Sequence, residues 1–416
     1  MATAKRQTLG SVWLVWVRTL YTGYLASVMA TGIVSIALYL NHVTVLSVIL
    51  WVVACILLAF LTAVYVLRWV MFPREVRSNL TDPTTVFGYF TFVAAVGVVA
   101  TRFSLGGWTL VPGILTLIAA ASWLVLTYWA FAMLIFVSGR MIDQSVNGSW
   151  LISIVATESL AITWVLLIQV RPELTAVLQL VAYMFWTFGV LLYLIFIAFI
   201  MYRFFFTHIR PTDLSPPYWI NMGAMAITTV AGARLFQLPH PDAFLTPLKS
   251  YILGFTVMMW AWGTWWIPLL IIIGIWKYGI SKQLLTYAPP LWSIVFPLGM
   301  YATAVQLLAK IPGLEFVGVI GPAATWIAFG AWALTAAGWA WSAISTVRSL
   351  GAAQAIVNRP STRQEAQGQI SRSGSVANAD SAAARVDDAE QHGTDTGTTG
   401  YVTEAGSRGD TRGPAS

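Results

Sequence analysis

Apolar residues fall into ten long blocks over the first 347 residues, and polar residues gather in the gaps between them. The blocks run near 20–40, 44–67, 84–101, 108–137, 150–170, 174–202, 218–238, 250–276, 290–309 and 316–345. A hydrocarbon layer about 30 Å thick is crossed by about 20 apolar residues wound as helix, which pairs every backbone polar group internally. Each block meets that length approximately, and several exceed it, which predicts tilt or interfacial ends.

The blocks alternate in character. Even-numbered ones are bulky and aromatic, as in Leu191 to Phe196 or Trp260 to Trp266. Odd-numbered ones carry small and polar residues: Thr31, Gly32 and Ser35; Thr91 and Gly97; Glu158 and Thr163; Asn221, Gly223 and Thr228; Ser293 and Gly299. Such residues let helix backbones approach closely or leave a lumen between them. Both readings stand for any single residue; for the odd blocks as a set, a shared interior is expected, with these residues lining it. An internal repeat supports the layering. Pro216-Pro217-Tyr218-Trp219 opens the seventh block and Pro289-Pro290-Leu291-Trp292 the ninth, 73 residues later, while Trp150 opens the fifth, 69 residues before Trp219. The expected fold is therefore an all-α polytopic membrane protein, with ten transmembrane helices as five tandem hairpins around a central pore.

Composition agrees: 58% of residues are hydrophobic and 9% charged, against roughly 45–50% and about 25% in a soluble domain. Lys5 and Arg6 precede a short apolar run broken by Arg18, so residues 1–19 read as a cytoplasmic N-terminal segment and not as a cleaved leader. Residues 20–347 form the membrane domain. With both termini in the cytoplasm, the inner loops hold eleven Lys or Arg and the outer loops five, the usual bias. Residues 351–416 contain no Leu, Phe, Trp or Met, so 348–416 reads as a disordered cytoplasmic tail. The tail carries a net charge of −1 and the rest +8, which places the basic excess in the membrane part and gives no reason to expect nucleic acid as a partner.

The candidate chemistry is electrostatic. His42, Arg102, Arg171, Arg234 and Lys310 stand at the far ends of the five odd blocks, where they would ring an outer mouth and concentrate small anions, or snorkel singly to lipid headgroups. Glu158 is the one acid well inside a block; a carboxylate in hydrocarbon is costly, so it should be protonated, paired or facing water. It is either a packing group or a coupler of proton and anion movement. Four scattered histidines offer no paired metal ligands, and no phosphate-cradling Gly-Lys-Ser/Thr motif occurs. An enzyme, a metal and a bound cofactor are therefore not expected. A membrane sensor without transport remains an alternative.

Met29-Ala30-Thr31-Gly32-Ile33-Val34-Ser35 resembles a signature of the tellurite-resistance/dicarboxylate transporter family, which includes the plant guard-cell slow anion channels, fungal malate permeases and sulfite exporters. Trp292 to Met300 resembles that family's ninth-helix motif, and Pro216 to Gly223 its bacterial seventh-helix segment. The resemblance covers the ten blocks and not the tail. It implies a homotrimer with one pore per subunit, in which a ninth-helix phenylalanine closes the pore; the matching position is Phe296, beside a kink at Pro297. It also implies transport of small anions through that gated pore, either four-carbon dicarboxylates such as malate or nitrate and chloride. Export of sulfite or another inorganic oxyanion is the alternative. The other odd blocks depart from the family by offering glycine where proline kinks are common.

Overall fold

The computed structural model describes residues 9–136, 145–168 and 170–357. Every regular element among them is helical. The α-helices are α1 (Leu9–Arg18), α2 (Ala26–Leu40), α3 (Thr44–Met71), α4 (Pro73–Thr81), α5 (Phe90–Leu105), α6 (Leu110–Phe136), α7 (Ile152–Leu167), α8 (Thr175–Phe206), α9 (Ile220–Phe236), α10 (Lys249–Gly274), α11 (Trp292–Leu308) and α12 (Ile320–Val357). Eight helices, taken with their flanking turns, are long and apolar enough to cross a membrane. The remaining two of the ten expected spans fall outside that set for different reasons: α2 has only 15 residues, while α9, 17 residues behind a 3-10 turn at Pro216–Trp219, is less apolar, with Asn221, Thr228, Thr229 and Arg234 in it. The chain separates into two units, residues 1–352 and 353–416. The final helix continues to Val357, into the segment expected to be irregular, because Ala352, Ala353, Gln354 and Ala355 are good helix formers. Lys5, Arg6 and Arg140, three of the charges expected on the inner side, lie outside the described residues, as does the tail beyond Val357.

Two layers follow from burial. In the most apolar stretches of Val86–Leu105, Gly148–Leu167 and Pro289–Leu308, 89%, 94% and 78% of residues are buried; in those of Thr44–Met71, Leu110–Phe136 and Thr246–Ile280 only 22% are. A helix that is apolar all round and buried all round belongs inside a bundle. Helices α2, α5, α7, α9 and α11 do form an inner ring: each packs on the next, and α11 closes onto α2. Helices α3, α6, α8 and α10 pack outside α2, α5, α7 and α9 respectively. Their outward faces expose Val45, Ile49, Val52, Ile56, Leu117, Val125, Leu191 and Ile272, a surface that water does not tolerate at this extent and lipid does.

Glycine sets the ring's tightness at two positions above all. A β-carbon on Gly97 of α5 would lie 2.8 Å from Ser159 Oγ of α7, and one on Gly223 of α9 would lie 2.8 Å from Pro297 Cγ of α11. The backbones can approach only because these side chains are absent. Gly32 against Val98 and Gly299 against Ile33 make the same kind of contact.

Candidate functional site: an axial pathway

The inner helices all begin at one end of the ring, here called the start face, and finish at the other, the end face. Four begin through a 3-10 turn, at Val86–Tyr89, Gly148–Leu151, Pro216–Trp219 and Pro289–Leu291. Two of these open on proline, which lacks the N–H that a first turn leaves unpaired. Trp150 and Trp292 are buried there and donate to Pro83 O at 3.0 Å and Tyr287 Oη at 3.2 Å.

Three spaces succeed one another inward from the start face. The first, a vestibule of about 310 Å³, is lined from all five helix starts, by Tyr21, Thr84, Ser149, Pro217 and Pro290 among others. Arg203 of α8 reaches into it, donating to Val146 O at 2.5 Å and Tyr218 Oη at 2.9 Å. The second is a gap of about 10 Å³ bounded by Ala26, Met29, Thr91, Ile152, Val155, Ile220, Ser293 and Phe296. The third, about 20 Å³, is bounded by residues such as Ile33, Gly97, Ser159, Val230, Met300 and Thr303, with Arg234 toward the end face. All five inner helices contribute to the second and third, and the segments leading into them line the first. Since one water needs at least about 10–15 Å³, the axis in this state is closed by side chains around Phe296, which is 1% exposed.

Of the twelve residues expected to line a pore, Thr91, Gly97 and Ser293 border these spaces. Most of the others face neighbouring helices. Thr31 accepts from Trp332 Nε1 of α12 at 3.0 Å. Ser35 and Ser47 exchange hydroxyl-to-carbonyl hydrogen bonds of 2.7 Å, tying α2 to α3. Asn221 Oδ1 accepts from Tyr193 Oη at 2.9 Å, and that oxygen accepts from Trp262 Nε1 at 2.6 Å, joining α9, α8 and α10. Thr163 donates to Leu160 O at 3.1 Å on its own helix. Gly32, Gly223 and Gly299 serve the ring contacts described above. Pro297 lies inside the continuous helix α11 beside Phe296 and packs against Gly223. Glu158 is wholly buried between α7, α8 and α9: Oε1 accepts from Thr228 Oγ1 at 3.0 Å, Oε2 has no partner, and Gly189 leaves it room.

The five basic end residues separate in the same way. Arg234 borders the third space, and its Nε is buried without a partner. Arg102 turns toward α3, with its guanidinium over the Tyr39 ring at 4.5 Å and Nη2 donating to Ser47 Oγ at 3.3 Å. Arg171 is exposed and pairs with Glu173 at 3.3 Å. His42 and Lys310 are exposed, and His42 holds a left-handed backbone with φ of 62°.

Residue type alone does not find much of the lining. Met29, Ile33, Ile152, Val155, Ile227 and Met300 are apolar, and nothing in their type sets Ser159 and Thr303 apart from other hydroxyls. Spacing carried the missed signal. Residues 26, 29, 33 and 36; 152, 155, 159 and 162; and 293, 296, 300, 303 and 307 are stripes of three- and four-residue steps along one helix face. The hydroxyls of Thr101, Ser159 and Thr303 donate to Gly97 O, Ala156 O and Gly299 O of their own helices at 2.9, 2.7 and 3.0 Å.

A family model described as voltage-dependent anion channel matches residues 20–340. An uncharacterized transporter of Methanocaldococcus jannaschii is 28% identical over 329 residues, covering 77% of this chain and 94% of that protein. A second uncharacterized transporter of the same organism is also 28% identical, over 77% of this chain and 92% of its own length. An uncharacterized membrane protein of Mycobacterium tuberculosis is 41% identical over 128 residues, which are 30% of this chain and 64% of that protein.

Proposed function

The chain belongs to the voltage-dependent anion channel family, and from that membership we propose that it passes small anions along the axis of the inner ring. One observation carries the proposal: a vestibule lined by the segments that lead into all five inner helices is followed along the axis by two spaces that all five helices bound. No acid borders the second or third space, while Arg234 supplies a guanidinium at the end face. At the start face the inner helices present their N-termini, whose dipoles favour negative charge. Glu158 points away from the axis, so a charge there does not confront the permeant ion, and it is the candidate for any coupling of anion flow to protons.

In this reading ten helices span the bilayer as five tandem hairpins, and the start face is cytoplasmic, as the excess of Lys and Arg on that side favours. Phe296 is the gate, and Pro297 frees the local backbone for its movement, since proline leaves an i−4 carbonyl without a donor. A charge meeting an apolar waist narrower than its hydration shell is refused until the ring swings aside. Four-carbon dicarboxylates, nitrate and chloride are the substrates proposed, in a homotrimer with one axis per subunit.

Reconstitution into planar bilayers tests this. Under opposed gradients of chloride, nitrate, malate and sulfite salts, the reversal potential should follow the anion. A potential that follows the cation, or no current from either wild type or Phe296→Ala, rules the proposal out.

A further inference from the structure

A second polar pocket lies off the axis at the start face, about 330 Å³ in volume, between α1, α3 and α4. Arg18, Arg68, Glu75, Ser78 and Asn79 line it, together with threonines of the neighbouring turns. Arg68 is only 3% exposed. Its Nη2 donates to Asn79 Oδ1 at 2.7 Å and its Nε to Arg18 O at 3.3 Å, but Nη1 has no partner. The Tyr89 hydroxyl stands beside the Arg68 guanidinium, within reach of its charge, with no well-aligned hydrogen bond to it or to any other group. Glu75, the one acid in the lining, is already held by Arg18, at 2.6 Å from Nη2 and 2.7 Å from Nε. The pocket therefore carries two guanidinium charges against one carboxylate. A buried cation left without a counter-charge is costly, and the guanidinium fork matches a tetrahedral oxyanion in two-point geometry.

We propose that this pocket binds a phosphate group, with Arg68 as the buried anchor and Arg18 as the second cation. The surroundings favour a phosphate presented at the membrane surface. Trp69, Val70 and Met71, at the same end of α3, are exposed as lipid-facing residues are, and α4 adds Arg74 and Arg77 on its exposed side. Basic residues just outside the hydrocarbon layer attract anionic headgroups. The pocket also touches the axial route, because Tyr21 lines both it and the vestibule, and Thr22 Oγ1 donates to Thr85 O at 2.9 Å where the α2 and α5 starts meet.

The test uses the full chain, delipidated in neutral detergent, with two probes. Phosphatidylglycerol is titrated in native mass spectrometry against phosphatidylcholine, and inorganic phosphate is titrated in a thermal melt against chloride at equal ionic strength. Retention of phosphatidylglycerol identifies a lipid headgroup, and a shift with inorganic phosphate alone identifies a soluble source. In either arm Arg68→Lys, which keeps the charge and loses the fork, should weaken binding by about tenfold. Ser78 is exposed, so Ser78→Asp introduces a carboxylate beside the pocket without disturbing the core, and it should weaken binding by at least as much. If wild type retains neither probe, or both variants bind as wild type does, the site does not exist; should Arg68→Lys fail to fold, Ser78→Asp alone decides.

Discussion

Phe296→Ala removes a ring that is 1% exposed and borders the smaller of the two inner spaces, about 10 Å³. Two consequences compete, and they differ in sign for the measurable quantities. If the ring is a gate, what it imposes on an anion is loss of hydration. A charge at the centre of an apolar layer costs about 2.5–3.5 kcal/mol on insertion scales, and each 1.36 kcal/mol is a factor of ten in rate. Flux should then rise by about two orders of magnitude in the variant. If the ring is core packing alone, deleting it leaves a dry cavity and costs about 3–5 kcal/mol of stability with no gain in flux. Proteoliposomes loaded with an anion-sensitive dye give the flux, and thermal denaturation of the same preparation gives the stability. A variant that melts well below wild type and conducts no better refutes the gate, and so does one that melts normally with unchanged flux. Near-normal melting with raised flux is the expected result.

Arg234→Gln should lower anion conductance severalfold at low salt and less at high salt, since the third space loses its only cation and salt screens what that cation contributes; equal currents at all ionic strengths would remove Arg234 from the pathway. Gly148→Ala should destabilise by about 1–3 kcal/mol or more, because its β-carbon would lie 2.5 Å from the Pro217 carbonyl carbon and the Tyr218 nitrogen, and backbone cannot step aside as a side chain can; a melt indistinguishable from wild type would contradict the packing at the start face. Glu158→Gln keeps the Thr228 hydrogen bond and should fold normally, while any dependence of flux on a pH gradient disappears; a persisting proton dependence would exclude Glu158 as the coupler. Glu75 lies outside the membrane-spanning helices, and a hydrogen bond from its own backbone N–H, then Arg18, holds its carboxyl below the usual range. A lowered folded-state value gives stability that is present above the ordinary carboxylate range, about pH 4.3, and is lost as pH falls through the folded value. Hydrogen-exchange protection of Leu9–Arg18, corrected for intrinsic rates, should hold from pH 8 to about 5 and decline only below that range; a loss above pH 6 would implicate another group.

The amino-acid sequence determined a good deal unaided. Ten apolar blocks and the scarcity of charge declare a membrane protein, and the contrast between small-residue and bulky blocks separates α2, α5, α7, α9 and α11 from their neighbours before any coordinates exist. That much depends on local length and composition, which bilayer thickness converts directly into helices. The rotation of each inner helix about its own axis was another matter. These helices are apolar on every side and buried on every side, so no hydrophobic face distinguishes axis from periphery. Polarity does not mark the axis: Thr31, Ser35 and Asn221 face outer helices and Thr228 faces the adjoining inner one, because a buried hydroxyl or amide needs a hydrogen-bonding partner, and Trp332, Ser47, Tyr193 and Glu158 supply one. The closed axis instead collects Met29, Ile33, Val155, Phe296 and Met300, which need no such partner. Arg102 and Arg234 stand at matching ends of inner helices, yet one is drawn toward Tyr39 and Trp51 and the other toward the axis. Only tertiary packing could decide between them, since the choice depends on which aromatic rings and which empty space a neighbouring helix happens to bring within reach.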